Sequence, residues 1–462
     1  MEVLMKIVQL IASLSLLIVV HELGHYLFAR LFKMRVDKFY LCYNPWFSIV
    51  RVKRTGRRLS FSWFSPAPPE SWNAYPGQTE WGIGWLPFGG YCKIAGMVDE
   101  SMDKEQLQQP PQPWEFRTHP AWQRMFAMVG GVLFNVLFAV LVYWGMLFTW
   151  GERYLANKDA AYGVHCDTLA MEMGFRHGDK ILAIGGQPVE RFQDIQFDLI
   201  RNQAKEATVI RRGDTVTFHI DERYMKALLN TRHFIFEPRI PFEIAYISDT
   251  SHNAHAGLRA GDRVVVVDLL PAFTVQDVRQ ELQQRKNQTV HLTIDRHDTL
   301  LVLPVSVDGR GLIGVAMNNL LSRFFPVVEK RYSFFAALPA GVSKGYTTIV
   351  NYVKELGLIF SPKTEAYKSL GSFITIANIF PGTWDWETFW SITAMLSIML
   401  AVLNILPIPA LDGGHLMFVL YEMITRRKPS EKALEAAQWF GFVILILLMA
   451  FAFGNDIVRN FF

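Results

Sequence analysis

The chain has 462 residues, of which 51% are hydrophobic and only 19% charged. This composition excludes an ordinary soluble protein, and the length allows two to four domains. The formal net charge of +4 is small, and we expect no nucleic-acid partner.

Three cysteines, Cys42, Cys92 and Cys166, lie far apart with no paired spacing. This pattern argues against a disulfide framework and against a cysteine zinc site. We therefore interpret them as isolated, mostly inert thiols.

Four stretches are long and apolar enough to cross a bilayer, which needs roughly 20 residues. The predicted spans are Ile7–Phe32, Met125–Trp150, Phe389–Pro407 and Ala436–Gly454. Gly130, Gly131 and Asn135 in the second span are small or polar residues of the kind that allow close helix contact, although glycine is also tolerated in membrane helices.

Positive charge predicts the orientation of these spans. Eight lysines and arginines lie between Lys33 and Arg58, and four more between Arg426 and Lys432. Both segments should be cytoplasmic, which places the long stretch from Gly151 to Asp385 on the other side. Short strand-like runs between Arg51 and Lys93 predict a β-region, with a strand or hairpin that bends at Gly89-Gly90.

The long segment contains an internal repeat. Gly174 and Gly257 each begin a pattern of glycine, apolar residue, arginine, any residue, Gly-Asp and a basic residue, followed by a strand-like run. Two copies predict tandem small domains, mostly β with a helix, of about 80 residues each. The second copy is more degenerate, because Asp268 and Leu269 replace the glycines at Gly185 and Gly186.

The main chemical signal is the run His21-Glu22-Leu23-Gly24-His25. Residues four apart share one face of a helix, so the two imidazoles can bind one zinc ion, and the intervening glutamate can reach a water molecule on it. Zinc lowers the pKa of such a water toward ~7, and Glu22 would accept its proton. A chance match is disfavoured, because each unpaired ionisable group in an apolar span costs ~2.5 kcal/mol or more.

A catalytic zinc usually has three protein ligands and one open position. Asp412 is the best third ligand, since it follows the third span just after Pro407 and Pro409 interrupt the helix. The alternative for Asp412 is a helix N-cap, and His415 and His119 are weaker rival ligands.

These features together resemble the site-2 protease family of intramembrane zinc metalloproteases. The paired motifs are His21 to His25 in the first span and Asn404 with Leu411-Asp412-Gly413 after the third, with the tandem repeat between spans two and three. Within the family, the resemblance is to the group of bacterial regulators of sigma-E protease, which carry tandem PDZ domains. It covers nearly the whole chain.

The resemblance implies that His21, His25 and Asp412 bind Zn²⁺, that Glu22 is the general base, and that Asn404 positions substrate or stabilises the oxyanion. The segment containing Pro87, Gly89, Gly90 and Tyr91 resembles the family's membrane-associated β-loop. Such a strand could hold an unwound substrate by β-augmentation; the alternative is an amphipathic hairpin resting on the membrane. Cys92 stands where family members often carry valine.

The predicted fold is a polytopic α-helical membrane protein with four transmembrane helices, a membrane-associated β-hairpin region and two tandem PDZ-like extracytoplasmic domains. The expected domains are the first transmembrane helix with the zinc motif (1–34), the cytoplasmic and membrane-associated β-loop region (35–122), the second helix (123–150), the PDZ-like domains (155–237 and 238–322), an extracytoplasmic amphipathic helical region (323–386), and the last two helices with the Leu-Asp-Gly motif (387–457).

The leading hypothesis is hydrolysis within the membrane span of single-span proteins that have already been trimmed. Anti-sigma factors and remnant signal peptides are the substrates that the resemblance implies. The PDZ-like domains would contact substrate ectodomains or peptides on the periplasmic side of a bacterial inner membrane, with the active site inside the bilayer toward the cytoplasm. The alternatives are a membrane-anchored protease of soluble chains and an inactive binding scaffold.

Overall fold

The computed structural model describes residues 1–97, 110–231, 233–359, 361, 364, 366–369 and 371–461. The chain divides into two compact units. Unit 1 contains Met1–Gly151, Arg331–Val353 and Lys368–Phe462, and unit 2 contains Glu152–Lys330 and Lys354–Tyr367.

The helices over the described residues are α1 (Glu2–Leu31), α2 (Ala121–Thr149), α3 (Thr168–Glu172), α4 (Ile195–Arg201), α5 (Arg223–Asn230), α6 (Val275–Gln284), α7 (Leu321–Phe324), α8 (Phe334–Ile359), α9 (Phe373–Ile379), α10 (Trp386–Ile405), α11 (Asp412–Thr425) and α12 (Glu431–Phe461). Short 3₁₀ helices cover Glu70–Ala74, Phe116–Thr118, Asn157–Asp159, Phe192–Asp194 and Ala366–Ser369.

The strands are β1 (Val36–Thr55), β2 (Arg58–Ser65), β3 (Glu80–Ile94), β4 (Glu152–Leu155), β5 (Val164–Cys166), β6 (Lys180–Ile184), β7 (Gln187–Pro188), β8 (Glu206–Arg211), β9 (Asp214–His219), β10 (Phe236–Pro238), β11 (Ile244–Ile247), β12 (Arg263–Val267), β13 (Leu270–Pro271), β14 (Thr289–Arg296), β15 (Thr299–Ser306), β16 (Val315–Met317) and β17 (Val327–Lys330).

Four helices over the described residues are long and apolar enough to cross a membrane: α1, α2, α10 and the stretch Lys432–Val458 of α12. They correspond to the four spans predicted from the sequence. An apolar run of this length can cross only as a helix, since a helix satisfies its own backbone hydrogen bonds in lipid.

Glycines bring α1 and α2 into backbone contact. A Cβ atom on Gly24 would lie 2.2 Å from the carbonyl oxygen of Gly130, and a Cβ on Gly130 would lie 2.6 Å from the carbonyl oxygen of Gly24. No larger residue fits at either position without moving a backbone, because real Cβ atoms do not approach so closely. The close helix contact suggested by Gly130 and Gly131 is therefore present, and it fixes α2 against the histidine-bearing turn of α1.

The β-region of unit 1 is one sheet, in which β1 pairs with both β2 and β3. Ile83 of β3 pairs with Val50 and also with Leu41, so the first half of β3 lies between the two halves of β1. The second half of β3 pairs with the first half of β1 through Gly90 and Leu41. Of the two predicted alternatives, a strand or a hairpin, the structure shows a strand: the two halves of β3 flank the first half of β1 and do not pair with each other.

Unit 2 contains the sequence repeat as two β-units with the same strand order. The first has a four-stranded sheet in the order β7-β6-β8-β9, and the second has β13-β12-β14-β15. Each unit has its own core of buried apolar side chains. The tandem arrangement predicted from the repeat is therefore present.

The Gly-Asp motif has the same role in both copies. Asp179 is buried, accepts the backbone N–H of Arg176 and binds the Arg211 guanidinium at 2.7 and 2.9 Å. In the second copy, Asp262 accepts the N–H of Arg259 and binds the Arg296 guanidinium at 2.7 and 2.8 Å. A buried carboxylate held by one guanidinium and one backbone N–H closes the turn before the first sheet strand.

The first β-unit extends beyond the boundaries expected from the sequence. Phe325 is buried in its core, and β17 pairs with β4. The expectation had placed these residues in the amphipathic helical region, which the structure begins at α8. Neither β17 nor Phe325 belongs to the sequence repeat, so only the fold reveals where they pack.

Among the described residues, Cys42, Cys92 and Cys166 form no disulfide. Burial, and after it the nearby carboxylates of Asp179 and Asp167, raise the pKa of the Cys166 thiol to about 12. Burial also raises the pKa of Cys42. A thiol that stays protonated at neutral pH is a poor nucleophile and metal ligand, which agrees with the interpretation of Cys42 and Cys166 as inert.

Candidate metal centre

The two histidines of the zinc motif lie on the inner face of α1. His21 and His25 are 8% and 6% exposed. Their four-residue spacing places both imidazoles on the same side of the helix, with Nε2 atoms 3.2 Å apart. The sequence therefore fixes their relative positions once α1 forms.

Asp412 reaches the histidines from the start of α11. The N-cap of this helix is Leu411, and Asp412 is its first residue. The N-cap alternative for Asp412 is thus wrong. Its Oδ2 lies 3.0 Å from His21 Nε2 and 3.4 Å from His25 Nε2.

Tight loop packing holds Asp412 in place. After α10 ends at Ile405, the chain turns through Ala410, which has a positive φ of 76°. A Cβ on Gly413 would lie 2.1 Å from the carbonyl oxygen of Leu406, and one on Gly414 would lie 2.6 Å from that of Ile408. The two glycines after Asp412 let the loop fold back over the start of α11, and this closure fixes the carboxylate.

The three ligand atoms fit one tetrahedral metal ion. Two atoms bound at about 2.0–2.2 Å to a tetrahedral zinc lie about 3.3 Å apart, and the separations here are 3.0, 3.2 and 3.4 Å. Asp412 Oδ2 is buried, and within the described parts of the chain no hydrogen bond of acceptable geometry reaches it. A buried carboxylate oxygen costs free energy unless something binds it, so a cation between these atoms accounts for the arrangement.

The second nitrogen of each imidazole contacts α2. His25 Nδ1 lies 2.8 Å from the carbonyl oxygen of Ala127. His21 Nδ1 lies 3.1 Å from the side-chain amide of Asn135, which is fully buried. A Cβ on Gly131, between these two positions, would lie 2.5 Å from His25 Nε2. One face of α2 therefore covers the histidine pair.

The structure brings Asn404 to the centre and leaves out the rival histidines. Asn404 Nδ2 is 3.4 Å from His21 Nε2. Among the described residues, the group that could hold a metal consists of His21, His25 and Asp412. His415 Nε2 instead lies 3.1 Å from the side chain of Gln438, and His119 Nδ1 lies 2.9 Å from that of Gln123.

The predicted substrate-positioning segment lies beside α1. Pro87, Gly89, Gly90 and Tyr91 belong to β3, and a Cβ on Gly90 would lie 2.7 Å from the side chain of Ile18. Tyr91 stacks on Tyr40 with ring centroids 5.2 Å apart and donates a hydrogen bond to Asn44. In the sheet order β2-β1-β3, this segment belongs to an edge strand.

Sequence reasoning missed the ion pair that ties α11 to α2. Arg124 donates a hydrogen bond of 2.5 Å to Glu422, and both side chains are mostly buried. Each residue stands alone in the sequence, so no local pattern signals the pair. Asn135 was visible as a polar residue in a charge-free span, but its contact with His21 was not.

The chain matches known proteins over nearly its full length. Residues 9–65 and 67–448 match the model of peptidase family M50. A protein of Neisseria meningitidis serogroup A, named as a candidate zinc metalloprotease, is 28% identical over 97% of this chain and 98% of its own length. The regulator of sigma-E protease of Salmonella typhimurium is 24% identical over 99% of this chain and 100% of its own length.

Proposed function

The chain belongs to peptidase family M50, and we propose that it is an intramembrane zinc metalloprotease that hydrolyses peptide bonds within the membrane spans of pre-trimmed single-span proteins. The observation that carries this proposal is the convergence of His21, His25 and Asp412 to within 3.4 Å of one another. His21 and His25 belong to a helix that is apolar enough to cross a membrane. The similarity to a sigma-E protease regulator supports regulated intramembrane proteolysis in a bacterial inner membrane.

In this proposal the three side chains hold zinc and Glu22 moves the proton. Bound there, zinc would supply Lewis acidity and lower the pKa of a water toward ~7. Glu22, next to His21 on α1, would act as the base that accepts the proton of the attacking water and gives it to the leaving amine nitrogen. Asn404, 3.4 Å from His21 Nε2, donates from its amide toward the oxyanion that develops on the attacked carbonyl.

The edge strand β3 would present the substrate in extended form. The peptide groups of a substrate helix form hydrogen bonds within the helix, so the helix must unwind before a carbonyl can be attacked. Strand addition to the segment Pro87–Tyr91 replaces those bonds with bonds to β3. The glycines at 89 and 90 remove side chains that would keep a second backbone away.

The two β-units of unit 2 fit the role of PDZ-like domains that select substrates. In the first copy, a cavity of about 800 Å³ lies along β10 and α4, lined by apolar residues such as Phe192, Ile195 and Phe236. A groove between a strand and a helix suits an extended peptide. Such domains on the periplasmic side would admit substrates that have lost their bulky ectodomain, with anti-sigma factors and remnant signal peptides as the substrate class.

Charge supports this orientation. The basic residues from Lys33 to Arg58 and from Arg426 to Lys432 flank the spans on one side, which is the cytoplasmic side by the positive-inside rule. The metal centre then lies within the bilayer, nearer the cytoplasmic end of α1.

The test compares wild type with Glu22→Gln in detergent, using a truncated single-span reporter and a zinc assay on both proteins. We expect cleavage inside the span by wild type and none by the variant, with zinc retained in both, because glutamine cannot accept the proton. Cleavage by the variant would refute the role of Glu22. Zinc in both proteins with no cleavage of several truncated spans would favour a binding scaffold.

A further inference from the structure

We propose that Asn135 is a positioning residue that accepts the Nδ1 proton of His21 and thereby presents Nε2 to the metal. This inference rests on the proposed metal centre, since it assigns a partner to one of its ligands. Asn135 itself contributes no metal ligand.

The tautomer of His21 requires an acceptor at this place. A neutral imidazole has one N–H and one lone pair, and a metal at Nε2 takes the lone pair. The proton must then sit on Nδ1, where burial makes a hydrogen-bond partner necessary. Asn135 is 3.1 Å from that atom and 0% exposed.

The orientation of the amide follows from the tautomer that His21 requires. With Nδ2 facing His21, Oδ1 of Asn135 is buried and has no hydrogen-bond partner among the described residues. The oxygen and nitrogen ends of an amide are nearly equal in size, so half a turn places Oδ1 on His21 Nδ1. That turn pairs the imidazole N–H with an acceptor and frees Nε2 for the metal.

His25 shows the same arrangement with a different acceptor. Its Nδ1 lies 2.8 Å from the carbonyl oxygen of Ala127 and donates to it, which leaves Nε2 free. Ala127, Gly131 and Asn135 are spaced by four residues and share one face of α2. This helix thus determines the tautomers of both histidines. The backbone oxygen of Ala127 accepts the proton of His25, and the side-chain oxygen of Asn135 accepts that of His21. Mutation of a residue that hydrogen-bonds a metal-binding histidine typically lowers metal affinity by about 10–100-fold.

The experiment measures zinc affinity of the full-length protein in detergent by competition with a chromogenic chelator. The variants are Asn135→Leu, which keeps the size and removes the acceptor, and Asn135→Asp, which keeps an oxygen at the same place. The control is Ser397→Ala: Ser397 donates to the backbone oxygen of Asn135 at 2.8 Å, so this variant disturbs the packing of α10 on α2 and leaves the amide intact.

We expect Asn135→Leu to lower zinc affinity about 10–100-fold, with Asn135→Asp and Ser397→Ala within about three-fold of wild type. Melting of the zinc-free proteins reports whether each variant folds. If Asn135→Leu does not fold, Asn135→Ala takes its place. Wild-type affinity in a folded Leu or Ala variant, or an equal loss in Asn135→Asp, would overturn the inference. A wild-type protein that binds no zinc would instead refute the proposed metal centre.

Discussion

At the scale of single residues, the candidate metal centre depends on where His21, His25 and Asp412 each place one potential ligand atom. His21 and His25 are placed by helix periodicity alone, whereas Asp412 is placed by a loop that folds back on α11. Its oxygen lies 3.0 Å from His21 Nε2, although the two residues are almost at opposite ends of the chain. A carboxylate buried against two imidazoles is costly in the absence of a cation.

The first prediction concerns the third ligand. Replacing Asp412 with asparagine keeps the shape and removes the negative charge. Loss of a residue that hydrogen-bonds a metal ligand lowers metal affinity about 10–100-fold, and the loss of zinc affinity in this variant should be larger. The control is His415→Gln, on the same helix, because His415 lies beside Gln438 and outside the ligand group. Chelator competition on detergent-purified proteins measures both. Equal losses in the two variants would mean that α11 was disturbed as a whole.

At the scale of elements, the contact between α1 and α2 governs the site. Gly24 and Gly130 allow backbone contact, and Gly131 lies directly over the imidazoles. Small residues at such a crossing let the two helix backbones approach closely. The crossing then lacks the side-chain packing that larger residues would provide. The ion pair of Arg124 with Glu422 then connects α2 to α11, so α2 contacts both ligand-bearing helices.

The second prediction concerns this crossing. In Gly131→Ala, the new Cβ would lie 2.5 Å from His25 Nε2, so the imidazole must move and zinc binding should drop at least about ten-fold. Gly145→Ala on the same helix is the matched control, because a Cβ there meets nothing within 4 Å. Zinc affinity and zinc-free melting temperature should both be measured. A Gly131→Ala protein with unchanged affinity would contradict the geometry.

The third prediction concerns the second β-unit and α7. Burial alone would raise the pKa of Glu243, but hydrogen bonds from Arg263, Arg323 and Asn318 outweigh it and hold the pKa below its ordinary value. A lowered folded-state pKa stabilises the fold above the unfolded-state pKa of about 4.3, and this stability is lost as the pH falls through the folded value.

Wild type should therefore exceed Glu243→Gln in the urea midpoint of this β-unit at pH 7, and the difference should shrink at pH 3.5. Limited proteolysis in urea, with thermolysin at pH 7 and pepsin at pH 3.5, follows the transition in the full-length protein. Asp249→Asn, which removes an exposed carboxylate from the same unit, should show no comparable dependence on pH. A difference in urea midpoint between wild type and Glu243→Gln that grows as the pH falls would contradict the prediction.

At the scale of the whole molecule, the metal centre belongs entirely to unit 1. Its proposed ligands come from α1 and α11, both of which lie in that unit, while the two β-units belong to unit 2. A ligand that binds only the folded state stabilises it by about 4 kcal/mol when its concentration is 1,000 times its Kd. Zinc should therefore stabilise the helices of unit 1 and leave the β-units unchanged.

The fourth prediction is the effect of metal removal. A strong chelator should increase hydrogen exchange in α1 and α11 and leave exchange in β6, β8, β12 and β14 unchanged, as measured by mass spectrometry on the full chain. The Asp412→Asn protein should show the increased exchange without chelator and no further response to it. Increased exchange throughout both units would mean that the metal stabilises more than the helices that hold it.

The sequence by itself determined the features that depend on local periodicity and composition. Long apolar runs predicted the four membrane helices, a four-residue spacing placed His21 and His25 on one face, and the Gly-Asp motif revealed two copies of a β-unit. Each of these signals lies within a short window, because helix period, turn chemistry and hydropathy are properties of neighbouring residues. The interrupted helix before Asp412 already suggested it as the third ligand, and the resemblance added Asn404; the structure brings both within 3.4 Å of His21 Nε2.

Only the tertiary structure decided which distant residues meet. It showed that Asn135 faces His21, that Arg124 pairs with Glu422, that Phe325 packs in the core of the first β-unit, and that the two arms of β3 flank β1. No local pattern encodes these contacts, since each depends on how separate elements pack and on glycines that set how closely they approach. The histidine motif was readable as a metal site, but the helix that orients its imidazoles was visible only once α1 and α2 had been brought together.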